Sequence, residues 1–272
     1  MMEQVNNALR TRDYLRRVSS DPVIAFKEIT KWADEEYDQY DILLSKLKAL
    51  SKSTVSNKKS KGTEKNVKTK DKGDSLESIV NFIIEKSFLL NVFPNKRTAT
   101  NEIDQFVVMS DSGKQAVYKF DFSPDLLGFN NGYFLGECKN YNKKVAGTWV
   151  GKFYTLLKSC GNCNLGIIFS YYGLAGEENN WNAAHGLTKL IYRIEPDEHK
   201  IFIIDININD FERIADRNNR VSFFDIINYK REALKSGIKS ESLMLPHKGF
   251  DFVKNTKCEV DQWLKLDSKA SE

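Results

Sequence analysis

Apolar positions along this chain switch between a helical spacing and short strand-like runs, and the switches divide it into elements. Phe26, Ile29, Trp32, Ala33, Tyr37, Tyr40, Leu43, Leu44 and Leu47 make one broad stripe across residues 21–50, the spacing of a helix that buries one face. Asp21-Pro22 opens it with an acceptor for the N-cap, followed by a residue whose fixed φ suits the first helical position. Residues 6–19 also predict a helix. Two helices bury too little surface to stand alone. The stripe is therefore expected to act as an interaction module, on another protein or a second copy, or else to cover the sheet of its own chain. The pattern leaves these alternatives open.

Helical spacing returns at Leu76, Ile79, Val80, Ile83 and Ile84, with Glu77 in the first turn of that segment. Shorter β-branched and aromatic runs over residues 101–108, 133–138, 166–170 and 200–206 predict strands. Residues 148–157 predict a helix, as do 210–217 and 222–235, the last with Ser222 as its cap and Phe223, Phe224, Ile226, Ile227 and Leu234 on its apolar side. Strands alternating with helices predict the α/β class: a mixed central sheet flanked by helices, preceded by an N-terminal helical segment.

Charge and composition refine this picture in one place. The formal charge of +4 is modest, yet Lys52, Lys58, Lys59, Lys61, Lys65, Lys68, Lys70 and Lys72 crowd into residues 51–74 among serine, threonine and glycine. So few apolar groups predict a solvated linker, one that also offers a salt-sensitive contact to phosphates. The expected organisation is a helical segment at 1–50, a lysine-rich linker at 51–74, a core at 75–208 and a helical extension with a tail at 209–272. Four cysteines, including the lone Cys160-x-x-Cys163 pair, make neither a disulfide framework nor a zinc site. Three scattered histidines argue against a Ser-His-Asp hydrolase. The absence of a phosphate-cradling glycine loop argues against a self-powered nucleotide motor. No membrane span or secretory leader is predicted, so a cytoplasmic protein is expected.

Candidate chemistry gathers where the run Tyr133-Phe134-Leu135-Gly136 ends in Glu137-Cys138-Lys139. Alternation in a strand puts Glu137 and Lys139 side by side on one face and turns Cys138 the other way. A carboxylate and an ammonium together at a strand end suit metal-dependent phosphodiester hydrolysis, the acid holding a divalent cation and the lysine orienting or deprotonating water. Asp104 opens an upstream strand and supplies a second acid. Asp125 is the alternative, but Pro124-Asp125 reads as a turn and hairpin loop. A second Glu-x-Lys, Glu198-His199-Lys200, follows Pro196-Asp197 and reads as a hairpin turn.

In this order of elements the chain resembles the PD-(D/E)xK nucleases, the restriction-endonuclease-like superfamily, and within it the Mrr-like type. The resemblance runs from about residue 75 to 208. It implies a DNA endonuclease used in prokaryotic defence, in which Asp104, Glu137 and the Cys138 carbonyl hold Mg²⁺ or Mn²⁺ and Glu77 assists through a water or a second ion. Lys139 would position the attacking water, and Asn140, Tyr141, Lys143, Lys144 and Lys152 would lie along the DNA backbone. The glutamine common in the family near that lysine is missing, since none occurs between Lys139 and Leu165. Arg213, Arg217, Arg220, Lys230 and Arg231 offer cations that could line a DNA cleft, although basic residues on a helix more often form only a solvated face. A protein partner or self-association through the N-terminal helices is expected, and the rival to the enzyme is a catalytically idle nucleic-acid-binding or assembly subunit. An RNA-directed nuclease is the third alternative.

Overall fold

The computed structural model describes residues 20–52, 69–97, 102–129, 132–161, 163–178 and 182–243. The helix expected over 6–19, most of the lysine-rich tract, Cys258 and the C-terminal tail lie outside the described residues.

The Asp21 carboxylate accepts from the Val23 and Ile24 N–H groups at 2.8 and 3.3 Å and starts helix α1 (Pro22–Thr30). The single long helix expected here breaks after Thr30, because Lys31 is extended and Trp32 turns its indole N–H to the Lys86 carbonyl at 3.0 Å. The Ala33 N–H donates to the Glu36 side chain at 2.9 Å, and α2 (Asp34–Lys52) follows with three acids in its first turn, where they favour the positive end of the helix dipole.

Both helices lie on the rest of the chain. Ala25, Phe26, Trp32, Tyr37, Tyr40, Leu44 and Leu47 join one buried cluster with the apolar face of α3 (Thr69–Glu85). The Tyr40 hydroxyl reaches the Phe211 carbonyl at 3.1 Å. Large side chains sealed in this way stabilise by roughly 1.5–3 kcal/mol each. The stripe that the sequence offered to a partner is thus taken up within the molecule. The linker boundary also moves: α3 begins at Thr69, not 75, and Lys72 is buried in it, donating to the Asn142 side chain at 2.8 Å.

Five strands form one mixed sheet in sequence order. They are β1 (Leu90–Arg97), β2 (Glu102–Met109), β3 (Tyr133–Cys138), β4 (Leu165–Phe169) and β5 (Phe202–Ile206). The first three pair antiparallel, and β3, β4 and β5 run parallel. Parallel neighbours need crossovers, which α6 (Gly147–Ser159) and α7 (Ala183–Ile194) supply. Before β3 come α4 (Asp111–Phe120), capped by Ser110, and the short α5 (Pro124–Leu127), which replaces the hairpin loop expected there. Glu198-His199-Lys200 also differs from expectation. Asp197–His199 is a single 3-10 turn joining α7 to β5, a helix-to-strand connection rather than a hairpin.

After β5 come α8 (Ile208–Ala215), α9 (Phe223–Ser236) and α10 (Ser240–Leu243). Ser222 caps α9 as expected, in a reciprocal capping box with Asp225. One apolar layer unites α1, α2, α3, α8 and α9 with Val107, Phe134, Phe169 and Ile204 of the sheet. The other unites α6 and α7 with Leu135, Ile168 and Ile203. Among the described residues no helix is long and apolar enough to cross a membrane.

Candidate active site

Strand pairing brings the sequence-predicted acids together. Gln105 faces Gly136 in the ladder between β2 and β3, so the next rung sets Asp104 against Glu137. Gly136 is required there, since a Cβ would lie 2.9 Å from that of Gln105 and 3.0 Å from the Phe169 ring. Alternation works as the sequence implied. Cys138 packs toward the α3 layer, and Glu137 and Lys139 share the opposite side.

Lys139 is the centre of the arrangement. Its Nζ lies 2.5 Å from Glu137 Oε1, 3.1 Å from Asp104 Oδ2 and 3.3 Å from the Cys138 carbonyl. The Cys138 N–H donates to the same Asp104 oxygen at 3.0 Å, and the Lys139 N–H donates to the Phe169 carbonyl at 2.8 Å, which holds the strand end in place. Burial, and next the Asp104 charge, push the Glu137 carboxyl above the usual carboxylate range. Burial opposes the charge on Lys139, but Glu137 and Asp104 outweigh it and hold the ammonium above its ordinary value. Side-chain exposures of 14%, 13% and 21% for Lys139, Glu137 and Asp104 leave the cluster reachable from solvent.

Glu77 approaches from α3. Burial first, then Asp104 and Asp74, raise its carboxyl, while a hydrogen bond with Asn95 and the charge on Lys139 work the other way. Asn95 lies between the rungs Pro94–Gln105 and Lys96–Ile103, beside Asp104, with φ 52° in the left-handed region that asparagine tolerates better than most residues. Nothing in the sequence pattern points to Asn95, and β1 is masked there because Pro94 interrupts it, as proline does on an edge strand.

The carboxylates of Asp104 and Glu137 and the Cys138 carbonyl are hard oxygen donors that surround one positive point, the Lys139 ammonium. That convergence fits Mg²⁺ or Mn²⁺, which take few protein ligands and keep several waters. Among the described residues no set of three His, Cys, Asp or Glu side chains is spaced to hold a metal ion, so Glu77 does not complete a three-carboxylate site. Cys138, Cys160 and Cys163 are free thiols, and burial pushes the Cys163 thiol up to about 11.

The expected phosphate contacts separate into two groups. Lys143, Lys144 and Lys152 are exposed. Asn140 instead donates its amide to the Lys72 carbonyl at 2.7 Å and to Ser51 Oγ at 3.3 Å, tying the strand exit to α2 and α3. Asp125 lies on α5, off the sheet.

Most of the downstream cations that could have lined a cleft are engaged within the molecule. Arg217 pairs with Asp38 and Asp41 at 2.7 and 2.8 Å, and Arg213 with Asp210 at 3.3 Å. Lys230 is buried against Asp205 and Asp210 at 3.5 and 3.2 Å, and Arg231 lies over the Phe202 ring at 4.6 Å. The acids that meet Arg217 come from α2 and one of those that meet Lys230 comes from β5, remote in sequence, whereas Asp210 lies only three residues before Arg213.

The sequence pattern marks Trp149, in the first turn of α6, only as part of a helix. Its ring centre lies 5.0 Å from Lys139 Nζ and 4.7 Å from Lys152 Nζ, and the Tyr141 ring tilts against it at 5.9 Å. Comparison with protein-family models, with curated proteins and with solved structures returns no match.

Proposed function

We propose that this chain is a metal-dependent nuclease with a restriction-endonuclease-like core, hydrolysing phosphodiester bonds in DNA. The observation that carries this reading is the convergence of Asp104, Glu137 and the Cys138 carbonyl on the Lys139 ammonium at a solvent-reachable strand end. The element order supports it as well: a helix bearing Glu77, a hairpin bearing Asp104, a strand ending in Glu-Cys-Lys, then a crossover helix and a parallel strand.

Asp104, Glu137 and the Cys138 carbonyl would hold Mg²⁺ or Mn²⁺, with Glu77 assisting from α3. When bound, such an ion polarises a phosphoryl oxygen and lowers the pKa of water. Lys139 orients the attacking water and offsets the negative charge that grows on the phosphate, an electrostatic contribution in place before the reaction begins. Lys143, Lys144 and Lys152 draw the polyanion toward the strand end. The resemblance that suggested this chemistry also suggests its use, cleavage of foreign DNA by the effector subunit of a defence complex.

Purified protein incubated with DNA in Mg²⁺, in Mn²⁺ and in EDTA tests the proposal. The wild type cuts with either ion and not in EDTA, and Lys139→Met and Asp104→Asn each lower the rate by about 10²–10³-fold. Near-normal cutting by either variant removes the mechanism. One observation favours a second reading: Lys139 already closes ion pairs with both acids, as it would in an idle DNA-binding subunit. In that case the wild type and both variants bind DNA alike and none cuts.

A further inference from the structure

We propose that Trp149 is a positioning residue for Lys139, its indole face retaining the lysine ammonium at the scissile position when the two carboxylates are engaged elsewhere. The inference deepens the nuclease reading and rests on it for its catalytic consequence.

Three of the groups around the Lys139 ammonium are oxygens: Asp104 Oδ2, Glu137 Oε1 and the Cys138 carbonyl. They are the same oxygens assigned to the divalent ion. An ammonium on a four-carbon stem that loses its ion partners is free to swing into water. The remaining contact among the described residues is the Trp149 ring, 5.0 Å from Nζ. An aromatic face attracts a cation through its quadrupole and offers nothing that a hard divalent ion would take. Among the described residues the indole is therefore the partner of Lys139 that does not compete for the metal ligands.

Local structure holds the ring where this requires. The chain leaving β3 is fastened by Val145, whose N–H donates to the Gly173 carbonyl at 2.9 Å and whose carbonyl accepts from Ala175 at 2.8 Å. α6 therefore starts beside the strand end, with Trp149 in its first turn. Tyr141 tilts against the indole from the other arm of the same loop. Lys152, three residues on and exposed, places a second ammonium over the ring at 4.7 Å. Two cations on one ring repel each other, so an arriving phosphate that draws Lys152 away leaves the ring to Lys139.

The test follows the lysine ε-methylene signals of the full chain by NMR, with Lys139→Met and Lys152→Ala assigning two of them, in the absence and presence of Mg²⁺. Ring current from the indole displaces both signals upfield in the wild type. Trp149→Leu returns them to the positions of solvent-exposed lysines, and the Lys139 displacement persists when Mg²⁺ is added. Alongside, cleavage kinetics give a kcat about tenfold lower for Trp149→Leu with KM little changed, and Trp149→Phe restores most of it. Lys152→Ala raises KM instead. An undisplaced Lys139 signal in the wild type overturns the proposal, as does loss of the displacement on adding Mg²⁺ or an unaltered kcat in Trp149→Leu. If the wild type cuts no nucleic acid while the displacements appear and survive Mg²⁺, the nuclease reading fails and the hold of the indole on Lys139 stands on the spectra.

Discussion

Two clusters in this molecule have the same ingredients, one lysine between two carboxylates, and they sit at the same level of the sheet. Glu137 pairs in register with Ile168, and Ile168 with Asp205, so the two acids occupy one row across three parallel strands. Around Lys230 the carboxylate oxygens are satisfied: Asp205 Oδ2 accepts from the Asn207 amide at 2.8 Å, Asp210 Oδ2 from the Asn207 N–H at 3.0 Å, and Asp210 Oδ1 pairs with Arg213. Exposures there are 9%, 5% and 1% for Lys230, Asp205 and Asp210. Around Lys139, burial and next the charge of Asp104 raise the Glu137 carboxyl, and solvent reaches all three groups. A closed, fully bonded cluster braces β5, α8 and α9. Acids press on each other in both clusters, since burial and the charge of Asp205 raise Asp210 as well; solvent access sets the open cluster apart, and there perturbed ionisation can serve chemistry.

The largest effect should come from breaking the closed cluster. Lys230→Met leaves two buried carboxylates without their cation and should cost about 3–5 kcal/mol in urea unfolding. The same change at Lys139 should cost about 1 kcal/mol or less, because Glu137 is already disposed to take a proton and its surroundings admit water. Equal losses at the two lysines would erase the distinction between brace and site. Separate losses, with cleavage slowed by about 10²–10³-fold only by the cheaper change, would sharpen it.

A pH experiment probes the closed side alone. His185 lines a polar cavity of about 80 Å³ beside Asp205, Asp210 and Lys230, and burial lowers its pKa against the opposing pull of Asp205 and Glu178. The unfolded chain, with an ordinary histidine value of about 6.5, then binds the proton first. Stability contributed by neutral His185 is complete above that value and is lost as pH falls through the lower folded value. Unfolding free energy should decline as pH falls below about 6.5, and His185→Gln should flatten that decline. A slope unchanged by the substitution would assign it to other groups.

These contrasts show which parts of the molecule could be read from sequence. Glu137, Lys139 and Asp104 were legible because strand alternation and strand order are local properties, and the helix of Glu77 carried a clean apolar stripe. The use of Arg217 and Lys230 was not, because their acidic partners come from α2 in one case and from β5 and α8 in the other. The break at Lys31 was hidden by a stripe that continues through it, and only the Trp32 bond to Lys86 reveals why the helix stops. Trp149 showed as one more apolar residue of α6, since a ring under an ammonium looks in sequence like a ring in a core.

The smallest effect discriminates between cations that face the proposed substrate and cations spent inside the molecule. Arg217 is occupied by Asp38 and Asp41 and lies over the Tyr37 ring at 5.4 Å, whereas Lys143, Lys144 and Lys152 are exposed on the stretch of chain that follows Lys139. Each lysine that meets a phosphate releases about 0.9 of a counterion on binding duplex DNA. Alanine at one of the three should therefore lower the slope of log affinity against log salt by about one, measured with uncut DNA in EDTA. Arg217→Gln should leave that slope as it was. The reverse result would move the DNA from the strand end at Lys139 to the face formed by α2 and α8, and the open cluster would then have no substrate.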